Sequence, residues 1–144
     1  MAGNVIFRGP AERQPRSTSK PVTGALLPGT MVEETATNLI QLTTAIDKRP
    51  LVLINSDFLG QDLVTAYTAG DTGIAFEPGV NDRFQIALAA ATYTVNQPLT
   101  IAAAGRLAAA ATTNPIVAYF ADTPGVFTAG QLADVVWANS SAKA

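Results

Sequence analysis

Residues 83–88, RFQIAL, alternate in polarity: Phe84, Ile86 and Leu88 take every second position, with Arg83 and Gln85 between them. A period of two sends successive side chains to opposite faces of an extended chain, so the stretch predicts a half-buried strand with Arg83 and Gln85 facing solvent. Shorter β-branched or aromatic runs at 51–54, 63–67, 73–76, 92–95, 99–102 and 116–120 read the same way. Turn formers separate them, among them Pro28-Gly29, Gly60, Gly70-Asp71, Pro78-Gly79, Gly105, Asn114-Pro115, Pro124-Gly125 and Gly130. Breakers spaced about ten residues apart leave room for strands and little for helices.

One segment competes as a helix. At 37–47, Leu39, Leu42 and Ile46 fall on one helical face, although Thr43 and Thr44 weaken that reading. The alanine runs at 89–91, 102–104 and 108–111 are bounded by turn formers or β-branched neighbours and read as strands and strand ends. Residues 131–134 predict a turn into a closing strand at 135–137. Of Tyr119 and Phe120, adjacent in a strand, one must point inward.

At 144 residues the chain predicts one domain able to bury roughly two thirds of its unfolded surface, without disulfide or metal staples. Residues 1–22 differ from the rest. Pro10, Pro15 and Pro21 stand among Arg, Gln, Ser and Thr, a composition too poor in apolar area to offset its ordering entropy. The division is therefore an extended, mobile N-terminal arm at 1–22 and a single β-rich body at 23–144. Removing residues 1–20 is expected to leave the body's melting temperature unchanged.

Charge follows the same division. Arg8, Arg13, Arg16 and Lys20 face only Glu12 in the first 20 residues, whereas the remainder holds five cations against ten carboxylates. A basic arm on an acidic body fits an interaction arm, a nucleic-acid tail or a solvated terminus. Four unclustered cations without interleaved aromatics favour protein docking over nucleic acid, because the acidic body repels phosphate. Val5, Ile6 and Phe7 are too short a run for a signal peptide, and no stretch approaches the roughly 20 apolar residues of a membrane span. The expectation is a soluble protein made in the cytoplasm, with no membrane or nucleic-acid partner.

The chain contains no histidine and no cysteine, which removes the residues that most often carry acid–base, nucleophilic and metal chemistry near neutral pH. Ser17, Ser19, Ser56, Ser140 and Ser141 thus have no histidine to activate them. Asp71-Thr72-Gly73 is the tripeptide of aspartic proteases, in which paired carboxylates share a proton and activate water. A tight turn between two strands explains the same residues. Asp71, Glu77, Asn81 and Asp82 offer oxygens for calcium, yet their spacing fits no EF-hand loop and suits turn capping better. No catalytic residue, metal site or cofactor is assigned. Charged residues are only 14% of the chain and apolar ones 48%, much of it alanine, which suits a surface that packs against other proteins.

The landmarks Ala25-Leu26-Leu27-Pro28-Gly29-Thr30, then residues 67–75 (YTAGDTGIA), Pro78-Gly79 and Gly105-Arg106-Leu107 resemble those of tailed-bacteriophage head decoration, or cement, proteins. The resemblance spans most of residues 25–111. It implies a small β-barrel or β-tulip-like body with an extended arm, placed on the outer capsid surface of the virion. The implied partner is the major capsid protein, whose neighbouring subunits it would bridge to stabilise the head, with self-association as a dimer or trimer. On that basis Val5, Ile6 and Phe7 are the arm's anchors, and Arg8, Arg13 and Arg16 pair with acidic capsid residues. Phe127 and Trp137 are candidate interface residues. A host- or carbohydrate-binding β-domain is the alternative from another class, and a dimeric acid protease a third.

Overall fold

The computed structural model describes residues 5–56 and 59–142. Its strands in chain order are β1 (Phe7–Gly9), β2 (Arg16–Pro21), β3 (Met31–Glu34), β4 (Leu39–Gln41), β5 (Leu51–Ile54), β6 (Thr72–Glu77) and β7 (Arg83–Ala87). They continue with β8 (Ala91–Tyr93), β9 (Pro98–Ile101), β10 (Leu107–Ala109), β11 (Pro115–Phe120), β12 (Gly125–Phe127) and β13 (Leu132–Ala142). The fold is all-β and its strand pairings are antiparallel, in agreement with the sequence pattern.

A six-stranded sheet runs β1-β7-β13-β11-β9-β10, a five-stranded sheet runs β2-β6-β5-β3-β4, and β12 and β8 form a two-stranded ribbon. No closed barrel is present among the described residues. The five-stranded sheet nonetheless curls until its two edges meet at a single bridge between Val22 and Leu39. That curl creates two cores. Leu51 and Leu53 of β5 point inside it with Val22, Val32, Leu39, Tyr67 and Ala75. Val52, one position out of phase, points the other way with Met31 to meet Phe84, Ile86, Leu99 and Val135 of the six-stranded sheet. The unbroken apolar run of β5 is thus a strand buried on both faces.

The curl is tight enough to specify glycine. A β-carbon on Gly73 would stand 2.6 Å from Val22 Cγ1 and 3.2 Å from Leu53 Cδ1, inside the range that real side chains avoid. In the larger core an aromatic cluster fills the space. Tyr93 stacks on Phe120 at 5.6 Å, and Phe127 meets both rings edge-on at 5.9 and 5.5 Å.

The alternation at 83–88 holds for Phe84, Ile86 and Leu88, all fully buried, and Arg83 is exposed. Phe120 is the inward member of its pair, with Tyr119 half-buried. Four expectations are corrected. Segment 37–47 is no helix: residues 39–41 form β4 on β3, while Ile46 is exposed, because threonines flank the apolar positions and an open sheet edge lies alongside. Residues 63–67 are a loop pinned by buried Leu63 and Tyr67, the latter donating a hydrogen bond to the Ile54 carbonyl at 2.6 Å. Alanines 103–104 open a 3-10 turn that ends at Gly105. Gln85, expected in solvent, is 2% exposed because the N-terminal segment lies over it.

That segment is itself a fifth correction. From residue 5 to 22 it is docked, supplying one edge strand to each large sheet: β1 pairs with β7 and β2 pairs with β6. Residues 1–4 of the predicted arm lie outside the described residues. Composition reflects only what the segment can bury within itself. The body supplies the missing apolar partners.

Candidate functional site

The residues assigned to a capsid-binding arm fall along this N-terminal strap. Ile6 is 1% exposed and sits in the main core, close to the positive-φ Gly29, whose hypothetical β-carbon would be 3.5 Å from Ile6 Cδ1 and 2.5 Å from Leu132. Gln85 holds the strap twice, its backbone N–H donating to the Ile6 carbonyl at 2.7 Å and its side-chain amide to the Val5 carbonyl at 2.8 Å. Phe7 packs against Phe84 at 5.3 Å and edge-on against Phe76 at 5.8 Å. Val5 is half exposed, and among these three apolar residues it alone has substantial free surface.

Three of the strap's four cations pair with the body. Arg13 Nη2 donates to Asp82 Oδ1 at 2.9 Å and to the Val80 carbonyl at 3.2 Å. Asp82 is buried, and its second oxygen accepts the Gly79 N–H at 2.7 Å, so the carboxylate is fully engaged in fastening strap to turn. Lys20 reaches Glu34 at 3.2 Å, and Thr18 donates to the same carboxylate at 2.7 Å. The Thr18 hydroxyl first, and then Lys20, hold the Glu34 carboxyl below its ordinary range. Arg8 lies 3.8 Å from Asp134, a looser pair. Arg16 is exposed beside Glu34, Arg49 and Glu77, and Arg49 pairs with Glu77 at 2.7 Å. The opposite signs of arm and body, legible in the sequence, are therefore realised within one molecule.

Phe127 and Trp137 are 8% and 9% exposed and belong to the main core. Asp71 is a turn residue, its Oδ2 accepting the Thr68 N–H at 3.0 Å, and Gly73 answers to packing in the curl. Asp82 is tied to Arg13 and Glu77 to Arg49, and no group of three or more metal-ligating side chains occurs among the described residues. Burial pushes the hydroxyls of Tyr67 and Tyr93 above the ordinary tyrosine value. Both donate to backbone carbonyls, as buried phenols do.

The open surface lies elsewhere. A groove of about 600 Å³ separates the β8–β12 ribbon from the start of β13 and is lined by Leu27, Val64, Val126 and Leu132 with Asp122 and Asp134. Val126 and Val64 are 78% and 83% exposed. Sequence reasoning passed over them, although period two offers a signal for one: with Phe127 in the core, Val126 must face out.

No protein-family model matches the chain, and no curated protein matches it. Among solved structures it is similar to the N-terminal base of the head fiber protein gp8.5 of bacteriophage phi29, at 13% identity and a TM-score of 0.60. The match covers 90% of this chain and 98% of that one. The likeness is one of fold, and it spans nearly the whole of both chains.

Proposed function

We propose that this protein is a structural component of a phage head that sits on the outer capsid surface and bridges subunits of the major capsid protein, stabilising the shell by adhesion. The observation that carries this reading is the fold likeness to the base of a phage head fiber, over 90% of this chain and 98% of that one. The residues agree with it. The carboxylates of the sequence motifs are engaged in turns and ion pairs, Asp71 with the Thr68 N–H, Asp82 with Arg13 and Glu77 with Arg49. The surface instead offers open aliphatic side chains suited to packing against a protein.

The carbohydrate-binding alternative requires exposed aromatic platforms. Among the described residues no Phe, Tyr or Trp is classed as exposed, so the observation that would favour that alternative is missing. Many weak contacts repeated over a shell give strong retention by avidity, and a dimer or trimer on the capsid would multiply them further. The test is difference electron microscopy of heads assembled with and without the protein, together with mass spectrometry of purified particles. Added density at subunit junctions and stoichiometric recovery are expected. Recovery in trace amounts, or density confined to the interior, overturns the proposal.

A further inference from the structure

Of the eight large aliphatic residues exposed among the described residues, Leu27, Val64 and Val126 line the single groove beside the ribbon. Such clustering marks a contact surface, whereas scattered exposed valines do not. β12 contributes all three of its residues to the groove wall and, among the described residues, has β8 as its only sheet neighbour. Its other edge is open to an added strand, which would gain main-chain hydrogen bonds and side-chain contacts together.

The electrostatics of the groove select the occupant. Asp122 is saturated, one oxygen accepting the Thr123 N–H at 2.7 Å and the other the Asp134 N–H at 2.9 Å. Asp134 is not: its buried Oδ1 has no hydrogen bond, and Arg8 approaches it only to 3.8 Å. A third of the Asp134 side chain remains exposed and lines the groove. Around Asp134 two carboxylates thus face one loosely placed guanidinium, while the Arg106 guanidinium lies against Gly130 elsewhere on the lining, so the negative site is local to Asp134 and stands next to the aliphatic one. A second basic group is the complementary charge.

We propose that this groove binds an extended segment of a capsid subunit that presents aliphatic side chains to Val64 and Val126 and a neighbouring Lys or Arg to Asp134. The assignment of the partner rests on the head-surface reading above; the chemistry of the segment rests on the groove itself. The segment adds along β12, its aliphatic side chains covering the valines and its cation meeting the exposed part of Asp134, whose buried Oδ1 faces Arg8.

The experiment is co-sedimentation with purified capsid shells that lack this protein, using the full chain. The double variant V64D/V126D is expected to bind at least about tenfold more weakly, as loss of a central aliphatic contact and added like charge dictate. Asp134→Asn should weaken binding less and flatten its salt dependence. Val95→Asp, at an exposed valine that does not line the groove, should bind as the parent does. Val64, Val95 and Val126 are solvent-facing, and unchanged melting temperatures are expected for their variants. Parent-like binding by V64D/V126D, or an equal loss in V95D, overturns the groove assignment and leaves the head-surface reading standing. If the parent chain itself fails to bind shells, that reading falls, and the capsid partner with it.

Discussion

The N-terminal strap and the β8–β12 ribbon are both marginal pieces of chain laid against the body, and they end in opposite states. The strap buries Ile6, packs Phe7 on two rings and engages Arg13 and Lys20 in ion pairs with the body. The ribbon buries Phe127 but leaves Val126 open beside a carboxylate that lacks a hydrogen bond. A segment whose contacts are satisfied inside its own molecule has little left to offer a partner. The adhesive role we propose therefore falls to the ribbon, and the strap is part of the fold.

The largest effect that tests this contrast is truncation. Deleting residues 1–20 removes β1 and all of β2 but Pro21, and with them one edge strand of each large sheet. We expect the melting temperature to fall by more than about 10 °C, several kcal/mol on the scale of a domain this size. Retention of the parent melting temperature in calorimetry would break the comparison and restore the mobile arm. Ile6→Ala alone should cost about 2–4 kcal/mol in denaturant unfolding, the range for emptying a filled core site.

A second test addresses the seat of the strap's C-terminal end. Gly73→Ala presses on Val22, a stiff, buried, β-branched neighbour, and on Leu53. Overpacking there should destabilise the protein by about 1–3 kcal/mol. Asp71→Asn, two residues earlier and exposed, should fall within about 0.5 kcal/mol of the parent. Similar losses in both variants would show that the turn, and not the curl, fixes this stretch.

Third, Arg13→Ala strips the buried Asp82 of one of its two hydrogen-bonding partners and should cost about 1–2 kcal/mol. Arg16→Ala, which removes an exposed cation of the same strap, should be near neutral. The smallest expected effect is acid lability. Glu34 has a folded pKa depressed below 4.5, so its contribution is present above that value and is lost as pH falls through the folded one. A shallow decline of melting temperature below about pH 4.5 should therefore lessen in Glu34→Gln. An unchanged acid limb would detach this ion pair from the strap's stability.

Much of the fold was legible because period-two alternation is a local property. Phe84, Ile86 and Leu88 had to share a face wherever β7 was placed, and the run 51–54 had to be a strand buried on both sides or not a strand at all. The candidate site was legible only in fragments. Phe127 and Trp137 were expected at an interface, and their apolar bulk carried them into the core. The groove joins Leu27, Val64 and Val126, almost 100 residues apart from first to last, and nothing local marks them as neighbours.

What the amino-acid sequence determined by itself was strand content, turn positions and the opposed charge of the first 20 residues and the remainder, since each is read along the chain without reference to its folding. Where residues 5–22 lie, which carboxylates their cations meet and which valines stay uncovered were decided only when the sheets assembled. Burial and ion pairing are properties of surfaces that distant segments build together, and a composition too poor to fold alone is sufficient once another part of the molecule supplies the apolar wall.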